Sequence, residues 1–162
     1  MRYVCRSMLI TLLISIPFKS FYSEGYIAKQ PNLNNEFERR IDELNDKHKE
    51  LILNSIIYIE SRGDHNAYNQ KENAVGILQI RPIMLKQANK IMGFEKFLLY
   101  DRWDKEKSIE IFWTIQDHFN PELSLEQACH IWNAGIFNKS RWEITENYRN
   151  KALIIYNNLS LK

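Results

Sequence analysis

The chain has 162 residues, of which 44% are hydrophobic and 26% are charged. This profile is typical of one globular domain with a real core and excludes a disordered chain. The 22 basic residues nearly balance the 20 acidic ones, and no basic cluster indicates a nucleic-acid surface. We therefore expect a partner other than nucleic acid, recognised through a specific site.

The first 23 residues differ in character from the rest of the chain. Arg2 and Arg6 precede an apolar run over residues 8–18, and no acidic residue occurs before Glu24. This layout predicts a secretory signal over residues 1–23, although the cleavage position stays open. The run is too short to span a bilayer comfortably, so we expect an exported, periplasmic or cell-envelope protein without a stable membrane span once the signal is cleaved. An N-terminal core helix is the alternative.

The segment 24–35 has no apolar period and is predicted to be a linker. From Glu36 onward, apolar residues recur at helical spacing up to Glu60. The pattern predicts one long helix, or two helices broken near Asn45, with Gly63 as the stop.

The rest of the chain predicts a polar surface loop over residues 64–75 and then more helices. Caps and stops place these helices from Pro82 to Gly93, from Asp104 to before Pro121, from a Ser124–Gln127 capping box to Gly135, and over about 145–159. No alternating strand of useful length is present, so the predicted fold class is all-α with five or six helices.

Glu60 stands out because it closes an apolar stretch at a predicted helix end. The helix dipole disfavours a negative charge there, and the neighbouring Ile56, Ile57 and Ile59 would raise the carboxyl pKa further by excluding water. A carboxylic acid that is neutral near pH 7 suits general-acid cleavage of a glycosidic bond. The plain alternative is a solvated glutamate at a helix end.

Four fragments in a fixed order carry a family resemblance. They are Glu60-Ser61, the segment GILQIRP over Gly76 to Pro82, the segment WNAG over Trp132 to Gly135, and Tyr148 near the start of the last helix. Together they resemble the soluble lytic transglycosylases, which are related in fold to goose-type lysozyme. The resemblance covers roughly residues 48–156, and it implies that residues 36–162 form a lysozyme-like catalytic domain around a glycan cleft.

The resemblance also implies roles for individual residues. Glu60 would be the catalytic acid and then base, and Ser61 would help to orient the site. Gln79, Asn133 and Tyr148 would surround the bound sugars and the carboxyl group. For Gln79 and Asn133 the alternative is an ordinary polar residue at a helix end, for Tyr148 a core tyrosine, and for Ser61 a bond to local backbone only.

Two further residues complete the predicted substrate site. Gly76 would let the backbone turn tightly and approach a ligand. Trp132 stands where the family commonly has tyrosine; it keeps a stacking face but lacks the hydroxyl, so its sugar contact could differ. Leu78 replaces a common methionine with little change in volume.

The implied activity is cleavage of the β-1,4 bond between N-acetylmuramic acid and N-acetylglucosamine in peptidoglycan, with a 1,6-anhydro end. One carboxylate suffices for that reaction, and Asp64, Glu72, Asp101 and Asp104 have no obvious claim to be a second. The histidines show no metal spacing, so no metal or cofactor is expected, and the protein is expected to be a monomer. A goose-type hydrolase and a non-catalytic peptidoglycan-binding or secretion-associated module are the alternatives.

Overall fold

The structure, a computed structural model, describes residues 33–135 and 143–161. The predicted signal over residues 1–23 lies outside the described residues. The described part contains five α-helices, two 3-10 helices and one short hairpin. This mostly helical architecture confirms the predicted all-α class.

The first helix, α1, runs without a break over Leu33–Glu60. It begins three residues before the predicted start at Glu36, within the segment expected to be linker, and it continues through Asn45. No glycine or proline interrupts this stretch. An ion pair one turn apart, between Arg39 and Glu43, supports its exposed first half.

The other helices lie close to their predicted positions. They are α2 over Pro82–Met92, α3 over Lys105–Phe119, α4 over Leu125–Ala134 and α5 over Glu146–Ser160, with 3-10 helices at Leu99–Trp103 and Glu143–Thr145. Gly93 ends α2 in the left-handed conformation, with a φ of 77°, which confirms the predicted stop.

The predicted caps of α3 and α4 are present, with one difference. The Asp104 carboxylate accepts a hydrogen bond from the backbone N–H of Lys107 at 2.7 Å. The Ser124 hydroxyl accepts one from the backbone N–H of Gln127 at 3.3 Å. The Gln127 side chain does not close the predicted capping box. It donates instead to the Phe119 carbonyl at 2.6 Å, because the Ser124 N–H already donates to Asn120.

The segment predicted as a loop contains a small antiparallel hairpin. Its strands are β1, Tyr68–Asn69, and β2, Ala74–Val75. Two-residue strands are too short to show alternation in a sequence, so the pattern could not reveal them. A further bridge between Val75 and Ile80 ties the hairpin to the turn that leads into α2.

Helices α1 and α5 pack antiparallel. Near the middle of α1, His48 Nδ1 lies 2.6 Å from the Tyr156 hydroxyl, and at its end, Glu60 Oε1 lies 2.7 Å from the Tyr148 hydroxyl. The core forms where this pair meets α3, α4 and the turn after the hairpin. Its largest fully buried apolar side chains include Ile52, Ile56, Leu78, Ile80, Phe97, Ile111 and Phe112. Each such side chain contributes roughly 1.5–3 kcal/mol by burial, which holds the end of α1 against the turn 76–80.

No helix in residues 33–135 and 143–161 is both long enough and apolar enough to cross a membrane.

Candidate active site

A cleft of about 190 Å³ lies between the end of α1, the hairpin, the start of α2 and the end of α4. It is lined by Glu60, Asn69, Glu72, Ala74, Gln79, Arg81, Met84, Trp132 and Asn133. This set includes four of the seven site residues predicted from the sequence. The fold therefore brings three of the four sequence fragments to one place, and the fourth reaches it through Tyr148.

Glu60 is the last residue of α1 and lines the cleft. Its Oε1 accepts a hydrogen bond from the Tyr148 hydroxyl at 2.7 Å. Burial raises the pKa of Glu60 from 4.5 to about 7, and this effect outweighs the hydrogen bond from Tyr148, which lowers the pKa. Near neutral pH a large share of the molecules thus carries a protonated carboxyl group here, one able to give up its proton.

Two charged residues of the cleft act on Glu60 in opposite directions. The positive charge of Arg81 lowers the pKa of Glu60, and the negative charge of Glu72 raises it. Arg81 Nη1 and Glu72 Oε2 are 3.8 Å apart, which is an ion pair too long for a hydrogen bond. Of the four carboxylates considered as a possible second catalytic group, Glu72 lines the cleft, and Asp64, Asp101 and Asp104 do not.

Tyr148 extends from the first turn of α5 toward the end of α1. Burial, together with the neighbouring Glu60 carboxylate, raises the pKa of the Tyr148 phenol well above its ordinary value of 10. The hydroxyl therefore stays protonated and can only donate to the ionised carboxylate. The Tyr148 hydroxyl contacts the Glu60 carboxyl group, although Tyr148 is not itself among the residues that line the cleft.

Gln79 has an unusual backbone that holds its side chain at the cleft. Its φ of 48° places a non-glycine residue in the left-handed region, which costs roughly 1 kcal/mol or more. Its amide group donates to the carbonyls of Ala67 and Gly76 at 3.0 and 3.1 Å. Because both partners are acceptors, the side-chain carbonyl oxygen is left as an acceptor for a ligand donor.

Asn133 lies one residue before the end of α4 and is exposed at the cleft. Its amide can both donate and accept. Gln79 and Asn133 thus present complementary polar groups from the turn 76–80 and from α4, beside Glu60.

Ser61 makes structural hydrogen bonds. Its hydroxyl donates to the Ile77 carbonyl at 2.7 Å and accepts from the Gly63 N–H at 3.1 Å. The first bond joins the end of α1 to the turn 76–80, so Ser61 positions the two segments that carry Glu60 and Gln79. It is not among the residues that line the cleft.

The predicted role of Gly76 needs correction. Its φ is +76°, and a Cβ atom at this position would lie 2.1 Å from the carbonyl oxygen of Arg102. The close approach that requires glycine is therefore to the backbone of the following 3-10 helix. It is a packing requirement within the protein, and Gly76 does not line the cleft.

Trp132 also differs from its prediction. It borders the cleft, but only 2% of its surface is exposed. Its ring packs against Phe112 with centroids 4.8 Å apart, and its indole N–H donates to the Leu78 carbonyl at 3.1 Å. A ring that is almost fully buried and whose N–H already donates to the backbone cannot offer a stacking surface to a sugar, so Trp132 supports the cleft from beneath.

Five residues that line the cleft are not among the site residues predicted from the sequence: Asn69, Glu72, Ala74, Arg81 and Met84. Of these, the sequence singles out only Glu72, as a possible second carboxylate without an obvious claim. Arg81 lies inside the recognised segment GILQIRP, at the position before Pro82, and this was the one available signal. The hairpin residues carried no signal, because their position depends on pairing between two short strands.

No group of three or more histidine, cysteine, aspartate or glutamate side chains in the part of the chain that the structure describes could hold a metal ion. Cys129 is buried within α4, where burial raises the thiol pKa to about 12. This thiol therefore stays protonated and unreactive.

Comparison with known proteins agrees with this geometry at the level of the family. No curated protein and no solved structure matches the chain. A family model, described as the transglycosylase SLT domain, matches residues 40–155, which include every residue of the cleft and Tyr148. The chain therefore belongs to the transglycosylase SLT domain family, with its lysozyme-like all-α fold and its glycan-cleaving, peptidoglycan-directed type of activity.

Proposed function

We propose that this protein is a peptidoglycan lytic transglycosylase that cleaves the β-1,4 bond between N-acetylmuramic acid and N-acetylglucosamine and leaves a 1,6-anhydro end. The observation that carries this proposal is Glu60, a cleft carboxyl group with a pKa of about 7 and a phenol donor 2.7 Å from one oxygen. Near pH 7 the protonated form of such a group is populated and can donate its proton in the first step. The carboxylate that remains can accept a proton in the next step.

The reaction uses Glu60 twice. It first donates its proton to the glycosidic oxygen as the bond from that oxygen to the muramoyl C1 breaks, while the substrate's own N-acetyl group supports the positive charge at C1. The resulting Glu60 carboxylate then accepts the proton of the muramoyl 6-hydroxyl, and O6 bonds to C1. No water is consumed, and Glu60 ends in its starting protonation state.

The neighbouring residues suit supporting roles in this sequence. The Tyr148 hydroxyl stabilises and orients the carboxylate formed in the first step, since a hydrogen bond to an ionised group is stronger than one to its neutral form. The free carbonyl of Gln79 and the amide of Asn133 can bond the N-acetyl and hydroxyl groups of the sugars. Ser61 holds the end of α1 in register with Gln79.

The test compares wild type with Glu60→Gln on purified cell wall, with products identified by mass spectrometry. Glu50→Gln is the matched control, because Glu50 is an exposed residue of the same helix. Wild type and the control are expected to release muropeptides with anhydro ends. With Glu60→Gln, the amount of released muropeptide is expected to fall by about 10²-fold or more. Equal release by Glu60→Gln would exclude the enzymatic function and favour a non-catalytic glycan-binding module.

One observation favours a second candidate, a muramidase that hydrolyses the same bond. Glu72 lines the cleft together with Glu60, and an inverting hydrolase uses a second carboxylate to activate water. In that case the products would carry reducing ends, heavier by one water than anhydro ends, and Glu72→Gln would abolish their formation. Anhydro products from both wild type and Glu72→Gln would exclude it.

The proposed substrate lies outside the cytoplasmic membrane, so the function requires export. We propose that residues 1–23 direct this export and that the protein acts in the cell envelope. Cell fractionation of the full chain and of a chain lacking residues 2–23 tests this. Equal amounts of both in the envelope fraction would contradict it.

A further inference from the structure

Arg81 lines the cleft with a guanidinium group that makes no hydrogen bond to any residue in the described ranges. Its nearest charged partner, Glu72, stays at 3.8 Å, beyond hydrogen-bond distance, and about a third of the Arg81 side chain is exposed. The exposed N–H donors of this group are therefore available to a ligand that enters the cleft.

The other arginine near the hairpin shows what a structural arginine looks like in this fold. Arg102 is 5% exposed, and its guanidinium donates to the carbonyls of Leu99, Asn73 and Ile80 at 2.9–3.0 Å. The donors of Arg102 are thus used by the protein to hold the hairpin and turn together. Those of Arg81 are not used in this way.

We propose that Arg81 binds a carboxylate carried by the muramoyl residue of the glycan and thereby selects muramoyl-containing strands. This inference rests on the proposed function, since it names a substrate group bound in the same cleft. A planar guanidinium matches a carboxylate with two parallel hydrogen bonds. The Glu72 carboxylate stays at 3.8 Å, so it does not already occupy the two donors that such a pairing uses.

The chemistry of the glycan gives this contact its selectivity. N-acetylglucosamine carries no carboxyl group, whereas muramic acid carries a lactyl ether that ends in one. In a peptide-free strand this lactyl carboxylate is ionised. In a peptide-bearing strand it forms an amide, and the stem peptide supplies carboxylates farther out. Both sources present the same chemical group to Arg81.

Binding is measured by calorimetry in the Glu60→Gln background, so that no probe is cleaved. The probes are a peptide-free tetrasaccharide of alternating N-acetylglucosamine and N-acetylmuramic acid, its methyl ester, and the same tetrasaccharide with stem peptides. The free acid is expected to bind about tenfold more tightly than the ester, because it adds a charge-assisted bidentate contact. Adding Arg81→Gln should reduce that ratio to below about twofold without weakening the ester.

The peptide-bearing probe separates the two sources of the carboxylate. If it binds as tightly as the free acid, a stem-peptide carboxylate reaches Arg81. If it binds like the ester, the lactyl carboxylate of peptide-free strands is the ligand. Either result supports the inference, provided that Arg81→Gln removes the preference.

Arg40→Gln is the matched control, because Arg40 makes an equally long ion pair, 3.8 Å to Glu36, on the exposed first half of α1. It should leave the preference for the acid unchanged. Arg81→Lys keeps the positive charge but lacks the two parallel N–H donors of a guanidinium, so it should retain part of the preference for the acid. It serves as the test variant if Arg81→Gln does not fold.

Equal binding of acid and ester, or a preference that survives in Arg81→Gln, would overturn the role of Arg81 while leaving the proposed function intact. Failure of all three probes to bind would instead count against the proposed function itself.

Discussion

Replacing Glu60 by glutamine should stabilise the protein in a pH-dependent manner. The folded state holds the pKa of Glu60 at about 7, against an ordinary value of 4.5. The native carboxyl group therefore binds a proton more tightly than the unfolded one, and wild type loses stability as the pH rises from about 4.5 to about 7. The full linkage corresponds to roughly 3 kcal/mol. The carboxyl borders an open cleft and is partly screened by water, so we expect about 2 kcal/mol.

Urea unfolding of wild type and Glu60→Gln, followed by tryptophan fluorescence at pH 4, 6 and 8, measures this difference. The two proteins should be nearly equally stable at pH 4. At pH 8 the variant should be more stable by about 2 kcal/mol, or about 1 M in urea midpoint at ordinary m-values. The exposed control Glu50→Gln should show no such trend. A stability difference between wild type and Glu60→Gln that stays constant from pH 4 to pH 8 would refute the raised pKa.

Three further substitutions test individual contacts. Tyr148→Phe removes the hydrogen bond that lowers the pKa of Glu60, so the alkaline limb of the kcat/KM profile should move up by about one pH unit; an unmoved limb with reduced activity would mean that Tyr148 acts only in binding. Gly76→Ala should destabilise the fold by at least about 2 kcal/mol in urea unfolding, because its Cβ would meet the Arg102 carbonyl at 2.1 Å, and wild-type stability would contradict the packing role. Trp132→Phe loses an indole hydrogen bond and buried volume, so it should cost roughly 1–3 kcal/mol with the KM for glycan changed less than twofold; a large rise in KM with unchanged stability would restore a sugar-stacking role.

The sequence could predict those site residues whose role follows from their position and order along the chain. The position of Glu60 at the end of an apolar stretch and the order of the recognised fragments are properties of the sequence. The structure then places Glu60, Gln79 and Asn133 on one cleft and Tyr148 against the Glu60 carboxyl. Two interpretations failed because they treated a residue type as a ligand contact. A glycine or a tryptophan in a motif can equally serve packing, and only its tertiary neighbours decide between the two uses.

The sequence by itself determined the family and the approximate positions of the helices, because helix periodicity and most caps depend on residues within one or two turns of each other. The start and continuity of α1 and the partner of the Gln127 side chain were decided only in the structure. The tertiary structure alone decided which residues share the cleft with Glu60. The hairpin that carries Glu72 consists of strands two residues long, and the approach of Arg81 to that hairpin is a contact between separate elements. The pKa of Glu60 likewise depends on how completely the packed elements exclude water from its carboxyl group. The position of Glu60 at a helix end predicts the direction of this pKa shift but not its size.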